Sequence, residues 1–248
     1  MATASPARIA KLTPLKMVNS VLPVVTCLPS SEALMMTGAR LFCMLLRSAV
    51  TAVVFALAWS TATASAATIL VYGDSLSAAY GLPQEQGWVH LLAQRLHAEG
   101  FDYKVANASI SGETTGGGRS RIEAALGTHR PALVIIELGA NDGLRGGGLD
   151  AMRDNLEAII DACRRSRARV LLVGIRMPPN YGAIYTEKFQ GVFGEVARSR
   201  KVPLVPSLLD GFSANRDLFQ ADGIHPAAAA QPVMLDTVWK GLRPLLER

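Results

Sequence analysis

After residue 67 the hydrophobic pattern alternates between short continuous apolar runs and longer segments in which apolar residues recur at helical spacing. The runs that are typical of buried strands lie at 68–72, 104–108, 132–138, 170–174 and 202–205. The segments with helical spacing lie near 88–99, 119–129, 149–166, 186–200 and 228–246. Regular alternation of this kind predicts a parallel sheet with helices on both faces. We therefore expect a three-layer α/β/α sandwich around a five-stranded parallel sheet.

Charge is distributed unevenly along the chain, which carries 25 Lys and Arg against 20 Asp and Glu, a net charge of +5. The first 66 residues hold five of the basic residues and one of the acidic residues, so the rest of the chain has 20 against 19. A nearly neutral domain lacks the basic surface on which nucleic-acid binding depends. We expect no nucleic-acid partner.

The front of the chain carries an apolar run of 12 residues at 48–59, with Arg40 and Arg47 before it and small residues up to Ala66 after it. This pattern is typical of a secretory signal peptide. A permanent membrane anchor is the alternative, but a membrane span needs about 20 apolar residues. We predict cleavage after Ala66, a mature domain at 67–248, and a periplasmic or secreted location.

Methionines at 35, 36 and 44 are possible start sites close to the apolar run. Because signal peptides normally begin near the true start, residues 1–34 are interpreted as a segment that is not translated.

Cleavage would also remove Cys27 and Cys43 and leave Cys163 as the one cysteine of the mature chain. Cys163 shares helical spacing with Leu156, Ile159 and Ile160, which indicates a buried thiol and neither a disulfide nor a metal site.

In an open parallel sheet, ligands bind at the carboxyl ends of the strands. The loops that follow the predicted strands, or precede the last predicted helix, hold the polar residues of most interest. Their sequences are GDSLS at 73–77, SISGETTGGG at 109–118, GANDGLRG at 139–146, RMPPNYG at 176–182 and DGIHP at 222–226.

Ser75 follows the first strand directly, and we expect it at a sharp turn between that strand and a helix. A serine hydroxyl needs a base to become a nucleophile, and His225 lies in a loop with Asp222 three residues earlier. That spacing lets the carboxylate hold the imidazole. The alternatives are structural: Ser75 can cap a helix, and Asp222 can form an Asx turn beside a solvent-facing His225.

Acyl transfer also needs hydrogen-bond donors where negative charge develops on the carbonyl oxygen. The backbone N–H groups of Ser75 and Gly112 and the side-chain amide of Asn141 are candidates, because all three are expected at the same edge of the sheet. Each has a structural alternative, since Asn141 can form a turn and Gly112 can supply a positive φ angle.

These blocks, in the order Ser75, Gly112, Asn141, then Asp222 with His225, resemble the SGNH (GDSL) hydrolases over about residues 68–246. Within that family the chain is most similar to the periplasmic enzymes that act as acyl-CoA thioesterases, proteases and lysophospholipases, and to related arylesterases. The resemblance implies a flavodoxin-like SGNH fold and a serine esterase that acts on carboxylic esters and thioesters. It implies Ser75 as nucleophile, His225 as base and then acid, and Asp222 as its orienting carboxylate.

The resemblance also implies an oxyanion hole made by Ser75, Gly112 and Asn141, with no metal or organic cofactor. Substrates would be small acyl esters or thioesters, with transient contact to membrane lipids as a source, and the enzyme is expected to be a monomer. Apolar residues of the framing loops are expected to line a substrate groove. They are Leu144, Met177, Pro178 and Tyr181.

Two other functions stay open at this point. A carbohydrate O-acetylesterase would use the same catalytic groups on a polar sugar. A ligand-binding module of flavodoxin-like shape would carry out no catalysis, and it has no need for the complete set of Ser, Gly, Asn and His residues.

Overall fold

The computed structural model of the chain describes residues 66–247. The predicted leader, signal peptide and cleavage site therefore lie outside the described residues or at their border. Within the described residues there are five strands and six α-helices, and two consecutive helices follow the third strand. The strands are β1 (Ala67–Gly73), β2 (Tyr103–Asn107), β3 (Leu133–Glu137), β4 (Arg169–Val173) and β5 (Leu204–Val205). The helices are α1 (Trp88–Ala98), α2 (Thr115–His129), α3 (Ala140–Leu144), α4 (Leu149–Arg165), α5 (Ala183–Arg200) and α6 (Gln231–Leu242).

All strand pairs are parallel, and the order in the sheet is β2-β1-β3-β4-β5. Helices α2, α4 and α5 pack against one another in one layer, and α1 and α6 pack together in another. The predicted three-layer α/β/α sandwich is confirmed. Strand order reverses between β1 and β3, and such a reversal opens a crevice at the carboxyl ends of the strands.

The core consists of the strand side chains and the inward faces of the helices. Strands β1 and β3 are buried along most of their length, which explains their continuous apolar sequences. On α1, Trp88, Leu92 and Leu96 are fully buried, as the helical spacing of apolar residues near 88–99 predicts. Cys163 is also fully buried, and burial raises the pKa of its thiol to about 12.

Several predicted boundaries are wrong. The strand predicted to be buried at 104–108 is an edge strand with Lys104 and Asn107 exposed. The strand predicted at 202–205 is only Leu204–Val205, because Pro203 and Pro206 flank it and proline donates no hydrogen bond to a sheet.

Helix boundaries differ as well. Helix α2 begins at Thr115, four residues before the predicted start, and the Thr114 hydroxyl caps it by accepting a hydrogen bond from the Gly117 N–H. The short helix α3 is absent from the prediction. Within residues 66–247, no helix has both the length and the apolar character that crossing a bilayer requires.

Candidate active site

The end of β1 brings Ser75 to the crevice. Residues 75–82 form turns directly after β1, as predicted, but the α-helix expected directly after Ser75 begins only at Trp88. A single helical turn takes its place, in which the Ala78 N–H donates to the Asp74 carbonyl over 2.9 Å. This turn leaves the Ser75 side chain half-buried at the carboxyl edge of the sheet.

His225 and Asp222 reach the same edge from the loop before α6. Nε2 of His225 lies 3.0 Å from Oγ of Ser75, and Nδ1 lies 2.6 Å from Oδ2 of Asp222. Oδ1 of Asp222 accepts hydrogen bonds from the backbone N–H groups of Ile224, at 2.9 Å, and of His225, at 3.0 Å. The Asx turn considered as an alternative is therefore present together with the imidazole contact, with one carboxylate oxygen for each.

The Asp222 carboxylate is stabilised in its charged form. Burial raises its pKa, but the hydrogen bonds from the His225 side chain and from the two backbone N–H groups outweigh that effect and lower the pKa to about 2. The carboxylate that lies beside Nδ1 of the imidazole is therefore negatively charged at neutral pH.

The loop after β2 carries Gly112 and is attached to the end of β1. The Ile110 N–H donates to the Gly73 carbonyl over 3.0 Å, and the Gly73 N–H donates to the Ser109 hydroxyl over 3.1 Å. Gly112 has a φ of 79°, in the region that favours glycine, and its carbonyl accepts a hydrogen bond of 3.1 Å from Arg145. The loop is thus fixed beside the turn that contains Ser75.

Asn141 is the second residue of α3, which follows β3 through Gly139. Gly139 has a φ of 121°, and a Cβ there would lie 2.8 Å from Cε of Met152. Nδ2 of Asn141 donates to Oδ2 of Asp74 over 3.1 Å. One of its two protons is therefore held by the residue next to Ser75, and the other remains available.

Asp142, beside Asn141, connects this loop to the start of α2. Its two carboxylate oxygens accept hydrogen bonds from the Thr115 N–H, at 2.8 Å, and the Thr115 hydroxyl, at 2.6 Å. Sequence reasoning did not identify Asp142 or Asp74, although both lie inside the motifs that it singled out. Their positions directly beside Asn141 and Ser75 were the available signal.

Sequence reasoning also missed a buried carboxyl, that of Glu137 at the end of β3. The Glu137 residue is 1% exposed and Asp74 is 0% exposed. Oε2 of Glu137 accepts a hydrogen bond of 2.7 Å from the Ser77 hydroxyl, and the backbone N–H of Asp74 also donates to the carboxyl. A Cβ on Gly73 would lie 2.8 Å from that same Oε2, so the glycine leaves room for the carboxyl.

Burial raises the pKa of Asp74 to about 6, although hydrogen bonds from the Leu76 N–H and the Asn141 amide oppose the shift. The pKa of Glu137 is raised further above its ordinary value, first by burial and then by the negative charge of Asp74. We infer that the two carboxyls resist carrying two negative charges together at neutral pH, because each charge disfavours the other.

The predicted groove residues occupy different environments. Leu144 is half-buried, and Pro178 and Tyr181 are exposed. The Tyr181 hydroxyl donates to the Leu144 carbonyl over 3.3 Å, which connects the loop after β4 to the end of α3. Met177 is only 8% exposed and packs in the core, so the prediction that it lines an open groove is wrong for its side chain. Its sulfur packs beneath α3, where a Cβ on Gly143 would lie 2.7 Å from it.

Among residues 66–247, no group of three or more His, Cys, Asp or Glu side chains is arranged to hold a metal ion. The site instead consists of a hydroxyl, an imidazole and a carboxylate in line, with amide groups beside the hydroxyl. On a flavodoxin-like sheet, this arrangement defines a class of serine hydrolases.

Comparison with known proteins gives the family. Residues 71–231 match the GDSL-like Lipase/Acylhydrolase family. The chain is 53% identical over 191 residues to the Esterase TesA of Pseudomonas aeruginosa, which covers 77% of this chain and 95% of that protein. It is 39% identical over 183 residues to the Thioesterase 1/protease 1/lysophospholipase L1 of Escherichia coli strain K12. This match covers 74% of this chain and 86% of that protein. The chain belongs to the GDSL-like lipase/acylhydrolase family and is a hydrolase.

Solved structures agree with this assignment. The crystal structure of TesA has a TM-score of 0.71 and 54% sequence identity, and the match covers 72% of this chain and 99% of that chain.

The buried carboxyls make stability depend on pH. A carboxyl whose pKa is raised by folding keeps its proton while the unfolded chain loses it, so stability falls as pH rises above the unfolded pKa. For Asp74 this window runs from 3.8 to about 6, and for Glu137 it starts at 4.5 and extends higher. We predict that Glu137→Gln reduces the fall in Tm between about pH 5 and 8, measured by thermal unfolding at constant ionic strength.

The matched control is Glu187→Gln, which changes an exposed carboxylate on α5 and should keep the wild-type dependence on pH. A wild-type slope in the Glu137→Gln variant would contradict the assignment of a buried, destabilising charge to Glu137.

Proposed function

We propose that the protein is a serine esterase that hydrolyses carboxylic esters and thioesters, including aryl esters, acyl-CoA and lysophospholipids, through an acyl-enzyme on Ser75. The observation that carries the proposal is the line of contacts from Ser75 Oγ to His225 Nε2, at 3.0 Å, and from His225 Nδ1 to Asp222 Oδ2, at 2.6 Å. These are the distances at which a base removes a hydroxyl proton while a carboxylate fixes its tautomer.

In the proposed mechanism, Oγ of Ser75 attacks the substrate carbonyl carbon while its proton passes to Nε2 of His225. Nδ1–H of His225 donates to Asp222, whose negative charge stabilises the imidazolium that forms. The imidazolium then gives its proton to the leaving oxygen or sulfur as the bond to the acyl carbon breaks. Water attacks the acyl-enzyme with His225 again as base, and the carboxylic acid and free Ser75 are produced.

The backbone N–H groups of Ser75 and Gly112 and the free amide proton of Asn141 would stabilise the oxyanion. Asp74 contributes by holding the other Asn141 proton, which limits the orientations of the amide before substrate arrives. Donors that are oriented in advance cost no reorganisation during the reaction, and a single one is typically worth about 10² to 10³ in kcat. All of these groups come from one chain, so the proposed enzyme can act as a monomer.

We predict that Ser75→Ala abolishes hydrolysis of a p-nitrophenyl ester, because the variant has no oxygen with which to form the acyl-enzyme. The measurement is kcat/KM of the purified variant, together with labelling by a serine-directed fluorophosphonate. Ser120→Ala is the control, since Ser120 is exposed on α2 and donates only to the Gly117 carbonyl. Wild-type turnover by Ser75→Ala would refute the proposed nucleophile.

The acyl chain is proposed to lie along Leu144, Pro178 and Tyr181. Beside them is a shallow depression of about 400 Å³, which Tyr181 and Ile184 help to line. Other large apolar side chains, in the loops that carry the site residues, are also exposed and would be available to contact lipid. They are Tyr80, Ile110 and Ile224. Apolar surface of this kind is a common feature of sites that bind apolar ligands.

We predict that Tyr181→Ala lowers kcat/KM for p-nitrophenyl octanoate about three- to tenfold, because it removes apolar contact from the end of the chain. Hydrolysis of p-nitrophenyl acetate by the same variant is the control and should change little, since an acetyl group lacks the chain that is proposed to contact Tyr181. Equal losses on both esters would exclude Tyr181 from chain binding. A wild-type preference for acetyl esters would favour an O-acetylesterase.

Export to the periplasm is proposed from the leader sequence alone, since the apolar run at 48–59 lies outside the described residues. N-terminal sequencing of protein recovered from the periplasmic fraction should begin at Ala67. A mature protein that retains the apolar run would indicate an anchor instead.

A further inference from the structure

Tyr80 is a large aromatic residue beside the candidate active site that the proposed mechanism does not use. It lies at the end of the turn that starts at Ser75, and its ring packs against the His225 imidazole with 4.4 Å between ring centroids and 35° between ring planes. It is nevertheless 51% exposed. A ring that contacts the imidazole and still presents half its surface to solvent borders the open crevice.

The backbone holds Tyr80 in place between the two loops of the site. Its N–H donates to the Ser75 carbonyl over 3.2 Å, and its carbonyl accepts a hydrogen bond of 2.8 Å from Nε2 of Gln220. The Gln220 N–H donates in turn to the His225 carbonyl over 2.7 Å. Tyr80 is therefore bonded both to the residue proposed as nucleophile and, through Gln220, to the residue proposed as base.

The ring itself, and not its hydroxyl, is the distinguishing feature of this side chain. Within residues 66–247, the Tyr80 hydroxyl makes no hydrogen bond, so no polar contact explains the choice of residue or its orientation. A ring of this exposure is a surface against which a flat apolar group can pack.

The chemistry of acyl transfer determines which part of a substrate meets this surface. As the bond between the acyl carbon and the leaving oxygen breaks, the proton taken from Ser75 passes from Nε2 of His225 to that oxygen. The leaving group must therefore lie against the imidazole at this step. Tyr80 is the aromatic surface in contact with that imidazole.

We propose that Tyr80 is a specificity-determining residue that binds the leaving group and favours flat aryl leaving groups over alkyl ones. The inference rests on the proposed esterase function and adds to it a binding site for the leaving group. The aryl ring packs against the exposed part of the Tyr80 ring next to the imidazole, so that its oxygen can receive the proton from His225.

The test compares two esters that share the acetyl group, 2-naphthyl acetate and n-butyl acetate, in the wild type, Tyr80→Leu and Tyr80→Phe. Tyr80→Leu should lower kcat/KM for the naphthyl ester about three- to tenfold more than for the butyl ester, because the stacking contact is lost. Tyr80→Phe keeps the ring and removes only a hydroxyl that makes no hydrogen bond to residues 66–247, so the ratio should stay at the wild-type value.

Deacylation separates this role from simple support of His225. Both esters give the same acetyl-enzyme, and the leaving group has departed before water attacks it. The deacylation rate, measured by single-turnover kinetics, should therefore be unchanged in Tyr80→Leu. Equal losses on both esters, or slowed deacylation, would overturn the proposal and indicate that Tyr80 only positions the imidazole.

Two further controls keep the result interpretable. If thermal unfolding shows that Tyr80→Leu does not fold, Tyr80→Met tests the same loss of the ring with a more adaptable side chain. Failure of the esterase proposal itself would give a different result, namely wild-type turnover by Ser75→Ala. That result is measured without the Tyr80 variants, so the two proposals can fail separately.

Discussion

The parallel pairing of β1 with β3 is the constraint on which the rest of the site depends. Its register places Gly73 opposite Glu137, so the two strands end side by side and deliver Ser75 and Asn141 to neighbouring positions. Because the strand order reverses between these strands, the helices that follow them leave on opposite sides and open a crevice. The hydrogen bond from Asn141 to Asp74 crosses this crevice and connects two loops that are 67 residues apart in sequence.

Much of this arrangement could be predicted from sequence patterns. Continuous apolar runs identify strands that are buried on both faces, and the alternation with helices makes the sheet parallel. Once the sheet is parallel, the loops with Ser75, Gly112 and Asn141 must share its carboxyl edge. Asp222 and His225 can make contact because they are only three positions apart, and a local contact of that kind is visible in a sequence.

Contacts between distant segments were not predictable in the same way. Glu137 lies within an apolar strand, where a charged residue gives no hint that Ser77, 60 residues away, donates to it. The packing of Tyr80 on His225 depends on the turn after β1 and on Gln220, neither of which has a periodic pattern. For Met177, the sequence correctly indicates an apolar contact, but it does not show that the side chain points into the core and away from the groove. Side-chain direction in a loop depends on tertiary packing, which a single sequence does not encode as a pattern.

The buried carboxyls indicate how stability and function are balanced at this edge. Removing Asp74 and Glu137 from water is unfavourable, and the raised pKa of each group measures that cost. The same groups hold the Asn141 amide, the Asp74 N–H and the Ser77 hydroxyl in fixed positions around Ser75. An apolar pair in their place would remove the electrostatic cost, but it would leave those polar groups without partners and the amide free to rotate. Charged residues that destabilise a core are expected to persist where orientation of the neighbouring groups matters more than stability.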